Sequence, residues 1–381
     1  MILFFEKSLT RRAFLKNCAR IALGGFVISK LTRFADAQEA KLGHIEPREA
    51  LYYEKLSGRR VRCTLCPRLC TVSEGGRGFC RVRENRGGVY HTLAFANPCA
   101  VHIDPIEKKP LFHFYPGTTA LSIATAGCNF TCKNCQNHDI SQARPDETVN
   151  YRLAPQDIVD LAVKYDAPTI AYTYTEPTVF FEYMLETAKI ARRNRVMNIY
   201  HSNGYIGQDA LAELAEYLDG ANVDLKAFSD AFYREITGGT LRPVLESLVT
   251  LKKSNVWLEI TNLVIPGKND TDSMIDDLCH WVKNELGAET PLHFSRFYPQ
   301  YKMQNLPPTP VRTLNKAAEI ARARGLQHVY IGNVPGSAEE DTRCVRCGKT
   351  IIGRIGYHVR SYDIRDGCCG FCGAEIAGRW K

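Results

Sequence analysis

A chain of 381 residues can bury a full core and suits one large α/β domain with small appendages. Its 45% hydrophobic and 24% charged residues are ordinary for a globular protein, with no low-complexity tract and no repeat. The net charge of +8 is local: seven Lys/Arg against Glu6 and Asp36 put +5 in residues 1–37, and the +3 left over is too mild to argue for nucleic acid.

In chain order, residues 1–37 read as a targeting segment. Ser8-Leu9-Thr10-Arg11-Arg12-Ala13-Phe14-Leu15-Lys16 resembles a twin-arginine signal, and Ala35-Asp36-Ala37 offers a small-x-small cleavage site. The apolar stretch between them, 21–31, is short for a membrane span and is interrupted by Lys30. Export to the periplasm or cell envelope is expected; the alternative is an uncleaved basic helix lying on the membrane of a cytoplasmic protein.

Residues 38–118 form a Cys-rich module. The chain has fifteen cysteines, and only Cys18, Cys99 and Cys279 stand outside three tight sets. Such spacings bring thiolates to one metal centre, and cysteines this close make poor disulfide partners for each other. The first set, Cys63, Cys66, Cys70 and Cys80, offers enough ligands for a closed zinc site or a second iron–sulfur cluster. Closed sulfur sites are usually structural, so a structural metal is expected here.

From residue 119 to 340 strand and helix alternate. Apolar runs rich in Val, Ile and Tyr predict strands at 120–125, 169–174, 196–201, 221–225, 256–264, 292–297 and 328–331. Helical periodicity falls between them at 156–165, 179–193, 208–217, 241–253, 273–286 and 313–324. This alternation predicts parallel pairing through βα units. The units form a partial or full TIM-type barrel, or an open doubly wound sheet; periodicity does not choose. Residues 341–381 are Cys- and Gly-rich. Cys344-x2-Cys347 with Cys369-x2-Cys372 resembles a zinc ribbon, with a rubredoxin-like iron site as competitor and Cys368 left spare.

The strongest signal is the second set, Cys128, Cys132 and Cys135, on the loop after the first predicted strand, where barrel enzymes place their chemistry. Three thiolates can hold three irons of a 4Fe–4S cubane. The fourth iron is then open to chelation by an amino acid's amino and carboxylate groups.

Cys-x3-Cys-x2-Cys in this place resembles the radical S-adenosylmethionine (SAM) superfamily. That resemblance implies a barrel whose cluster reductively cleaves SAM, releasing a 5′-deoxyadenosyl radical that abstracts a substrate hydrogen. It also implies a low-potential electron donor; such donors are normally cytoplasmic, which stands in tension with export. Thr173-Tyr174-Thr175-Glu176-Pro177 resembles the turn that receives the amino group of SAM, with Glu176 accepting from the ammonium. His201-Ser202-Asn203-Gly204 resembles the element near ribose and carboxylate, which implies roles for Ser202 and Asn203. Asp224-Leu225-Lys226 resembles the same run in glycyl-radical activating enzymes, with Lys226 pairing the carboxylate. Asn134 departs from the superfamily pattern, in which an aromatic residue precedes the third cysteine. His201 and His293 lie at predicted strand ends and receive no catalytic role.

Three further segments narrow the resemblance: 104–111, 259–267 and 293–299 look like the radical SAM enzyme of the AmmeMemoRadiSam system, across about residues 48–381. This implies a pyruvate formate-lyase activating enzyme-like protein with Memo-like and AMMECR-like partners and a protein or small-molecule substrate. The rival reading is a non-enzymatic iron–sulfur electron carrier or assembly protein. Carriers need four protein ligands per cluster, and the triad supplies three.

Overall fold

A computed structural model describes residues 40–380, so the run read as a targeting segment and Cys18 lie outside the described residues. Seven parallel strands, Thr119–Ala124, Thr169–Tyr172, Met197–Ser202, Gly220–Asp224, Trp257–Val264, Leu292–Arg296 and Val329–Gly332, lie side by side in chain order. A doubly wound sheet would reverse its order midway. Here each strand pairs with its sequence neighbour, so the sheet curves into a barrel wall. Among the described residues no pairing joins the seventh strand back to the first, and the barrel is partial. No helix among them is long and apolar enough to cross a membrane.

Each parallel strand falls within two residues of its predicted bounds, because helices cover the outer face and force continuous apolar runs. Thr169–Tyr172 is buried at every position. The crossover helices start on local signals. Pro155 opens Pro155–Lys164, with the Asp157 carboxylate accepting from Ala154 N at 2.7 Å. Thr271 caps Asp272–Leu286 by accepting from Met274 N.

One strand was not foreseen. Ala100–Pro105 pairs antiparallel with the first parallel strand along its whole length, making eight strands in the sheet. The sheet therefore begins some twenty residues before 119, inside the stretch assigned to the N-terminal module. That module also has no core of its own. Val61, Leu65, Val72, Val82 and Tyr90 belong to the same apolar cluster as the barrel helices. The C-terminal module does have one, built from Ile351, Ile352, Ile364 and Ile376 around Cys344 and Cys369.

The amino ends of the strands are closed by a floor. Glu259, near the start of the fifth strand, is fully buried and accepts from Phe112 N (3.0 Å), His113 N (2.7 Å), Trp257 Nε1 (3.0 Å) and His293 Nε2 (2.7 Å). The C-terminal module seals this floor from below. Arg354 donates to Phe112 O at 2.8 Å, and the Arg379 and His113–Tyr115 backbones exchange two bonds of 2.7 Å.

Burial pushes His328 in this floor from 6.5 down to about 4, and it pushes the neighbouring His113 well below its usual range. Between those limits the unfolded chain binds protons that the folded chain refuses, so stability falls as pH drops from 6.5 towards 4. Urea midpoints at about pH 7 and about pH 5 are expected to differ, and the difference should shrink in His328→Gln. An unchanged difference in that variant would remove His328 from the account.

Candidate active site

The opposite end of the barrel, where the strands finish, carries the cysteine triad. Gly127, at φ +97°, begins the loop; a Cβ there would stand 2.8 Å from Cys80 O and 2.4 Å from Val82 Cγ1. Only glycine permits that approach, which presses the N-terminal module onto the loop. Farther along, Thr131 N and Lys133 N donate to Thr237 O and Ile236 O at 2.9 and 3.0 Å, pinning the loop to the π-helical turn Tyr233–Thr237.

Each triad sulfur has its own polar neighbour. Cys128 Sγ accepts from Phe130 N at 3.3 Å and Asn203 Nδ2 at 3.9 Å. Cys135 Sγ lies 3.2 Å from Ser141 Oγ. Burial pushes the Cys132 thiol up to about 11, against the pull of the Lys226 ammonium beside it. Donors of this kind stabilise thiolates once a metal replaces the thiol proton. The three residues fit a cluster bound by three irons with one left open.

The strand ends around the triad divide into two groups. Asp224 joins His201 Nε2 (3.2 Å) and Lys226 Nζ (2.9 Å). Burial would raise the Asp224 carboxyl, but the Lys226 charge and then His201 hold it well below the usual range. The Lys226 side chain is partly exposed, and its ammonium near Cys132 has two further N–H donors. Glu176 and Ser202 are only 2% exposed. The Glu176 carboxylate accepts from Thr178 N (3.0 Å), Thr178 Oγ1 (2.7 Å), Ser202 Oγ (2.8 Å) and Asn203 N (2.8 Å). Three of these bonds fall on Oε1 and one on Oε2, which leaves an acceptor position on Oε2. These bonds tie the second and third strand ends together. Asn203 is also internal, donating to Asn129 Oδ1 at 2.9 Å as well as to Cys128.

The match to known proteins follows this geometry. The Radical SAM superfamily model matches residues 122–282, from the first strand through the helix after the fifth. Uncharacterized protein MJ0808 of Methanocaldococcus jannaschii is 48% identical over 334 residues, 86% of this chain and 98% of that protein. The chain belongs to the radical SAM superfamily. The pyruvate formate-lyase 1-activating enzyme of Escherichia coli is 21% identical over 213 residues, 52% of this chain and 87% of that protein. Among solved structures, a radical SAM methyltransferase from Sphaerobacter thermophilus aligns with a TM-score of 0.46 at 17% identity, over 57% of this chain and 67% of that one. The protein is thus a radical SAM enzyme similar to glycyl-radical activating enzymes, and membership implies a 4Fe–4S cluster and SAM. This sets aside the non-enzymatic carrier.

The radical SAM core has a second polar cluster that sequence reasoning missed. Asp104 holds Lys108 (2.9 Å), the buried Lys109 (2.5 Å) and the Tyr174 hydroxyl. Burial pushes Lys109 down to about 8 against the attraction of Asp104. The run 104–111 served in the sequence only as a family signature, although its paired lysines beside an aspartate were the available signal.

The flanking cysteines of this radical SAM enzyme fall at opposite ends of the barrel. Cys344, Cys347, Cys369 and Cys372 have all their sulfurs within 4.8 Å of one another, with pairs at 3.6 and 3.8 Å. A tetrahedral zinc–thiolate site separates its sulfurs by about 3.8 Å, so this set fits one closed metal ion; Cys368 stays outside it. Among the described residues it is the one set so closed. Cys63, Cys66, Cys70 and Cys80 instead surround a cavity on the mouth side.

Proposed function

We propose that Cys128, Cys132 and Cys135 hold the 4Fe–4S cluster and that the enzyme cleaves SAM to begin hydrogen abstraction from a protein or small-molecule substrate. The observation that carries this reading is the meeting of the three cysteines, two of them hydrogen-bonded and the third beside the Lys226 charge, with the Lys226–Asp224 pair at the strands' carboxyl ends. Bound there, the cluster supplies the electron that breaks the sulfonium bond. The chain's own residues do the positioning. Lys226, held by Asp224, offers its remaining donors to the SAM carboxylate, and Asn203 steadies Cys128. Glu176 and Ser202 keep the strand ends in register behind the site.

The relatives' names favour a protein substrate: the E. coli homologue is a pyruvate formate-lyase activating enzyme. The signature runs at 104–111, 259–267 and 293–299 support assignment to the AmmeMemoRadiSam system, with Memo-like and AMMECR-like proteins as partners. The twin-arginine-like run at 8–16 supports export of the folded, loaded enzyme.

Anaerobic reconstitution with iron and sulfide, reduction with dithionite and addition of SAM should release 5′-deoxyadenosine. A fully loaded protein that binds no SAM and releases none would overturn the reading.

A further inference from the structure

We propose that Cys63, Cys66, Cys70 and Cys80 hold a second iron–sulfur cluster, which passes electrons to the triad across Asn129 and the Gly127–Cys80 contact. The relay part rests on the radical SAM reading; the presence of the cluster does not.

The four cysteines line one small cavity. A single metal ion would gather their sulfurs as closely as the C-terminal four, whose pairs stand at 3.6 and 3.8 Å. The N-terminal four are not so gathered. A cubane places each thiolate on a different iron and so demands a wider ring.

The cavity wall also holds polar groups without partners. Tyr90 is fully buried, and its hydroxyl finds no hydrogen-bond partner. Arg83, 1% exposed, leaves Nε unpaired, while its Nη1 points to Cys63 Sγ at 3.9 Å and its Nη2 pairs with Glu182. Unsatisfied donors this deep are costly, and sulfur acceptors held at this wall would relieve them. The inorganic sulfides of a cluster accept such donors, and the guanidinium offsets the charge of the thiolates.

Location completes the case. Asn129 lines this cavity and is the residue after Cys128. Thr178, which also lines it, is bonded to the Glu176 brace of the mouth. The C-terminal metal set, by contrast, sits below the floor. One electron enters the second cluster from a low-potential one-electron donor protein and moves to the triad cluster. There it is consumed in breaking the S–C5′ bond of SAM, yielding methionine and the 5′-deoxyadenosyl radical, and the second cluster returns to its oxidised form.

The test uses the full chain with Cys128→Ala, Cys132→Ala and Cys135→Ala combined, reconstituted anaerobically. It should retain about half of the wild-type iron and acid-labile sulfide, with a paramagnetic cluster signal after dithionite. Iron and sulfide at background, or zinc in their place, would overturn the second cluster whatever the wild type does with SAM. For the relay, wild type and Cys63→Ser/Cys70→Ser are reduced, freed of excess dithionite and given SAM. Two stored electrons against one predict about twice the 5′-deoxyadenosine per chain from wild type. Equal yields from two loaded proteins would overturn the relay. The first measurement stands even where the second variant misfolds.

Discussion

Cys132→Ala, reconstituted as wild type is, should release 5′-deoxyadenosine at no more than roughly a thousandth of the wild-type rate. The loop has no other cysteine to take its place, and the two remaining sulfurs are fixed by partners of their own, Phe130 N and Asn203 for Cys128 and Ser141 for Cys135. Cys132 is also the sulfur beside Lys226, so its loss separates the lysine from the charge it faces. Alanine keeps the loop's backbone bonds to the Tyr233–Thr237 turn, so the fold should survive. Unchanged far-UV dichroism with lost product is therefore the expected pair of results. Product at even a tenth of the wild-type rate would mean that Cys132 is not a cluster ligand.

Glu259→Ala is expected to cost on the order of 5 kcal/mol, read from the urea midpoint. It leaves four donors without their acceptor, two of them backbone N–H groups of the floor segment. Each buried donor so orphaned costs about 1–3 kcal/mol, which sums to much of a domain's ordinary margin of roughly 5–15 kcal/mol. Glu259→Gln keeps one carbonyl acceptor and should lose less. A midpoint for Glu259→Ala within experimental error of wild type would show that the floor is held by other contacts.

The parallel strands were legible because burial on both faces writes itself as uninterrupted Val, Ile and Tyr. The strand Ala100–Pro105 was not: it is half-exposed, its His102 faces outward, and it ends on Asp104-Pro105, which reads as a turn. The triad could be found from spacing alone, since three ligands on one loop are a local feature. The direction of a side chain is not local. Glu176 and Ser202 sit in the turns the resemblance pointed to, and their bond to each other across two strand ends could not be read from spacing. The two sets of four cysteines show the same limit, as similar short spacings fold into a tight tetrad in one case and the lining of a cavity in the other.

The two ends of the barrel are also made at different times. Translation delivers the mouth cysteines, from Cys63 to Cys135, long before Ala377 and Arg379, whose backbones satisfy His113 and Tyr115. A nascent chain thus possesses all seven parallel strands while the underside of its core is still open to water. Shortening the chain ahead of residue 377 would leave that state permanent, although every cysteine of the mouth would be present.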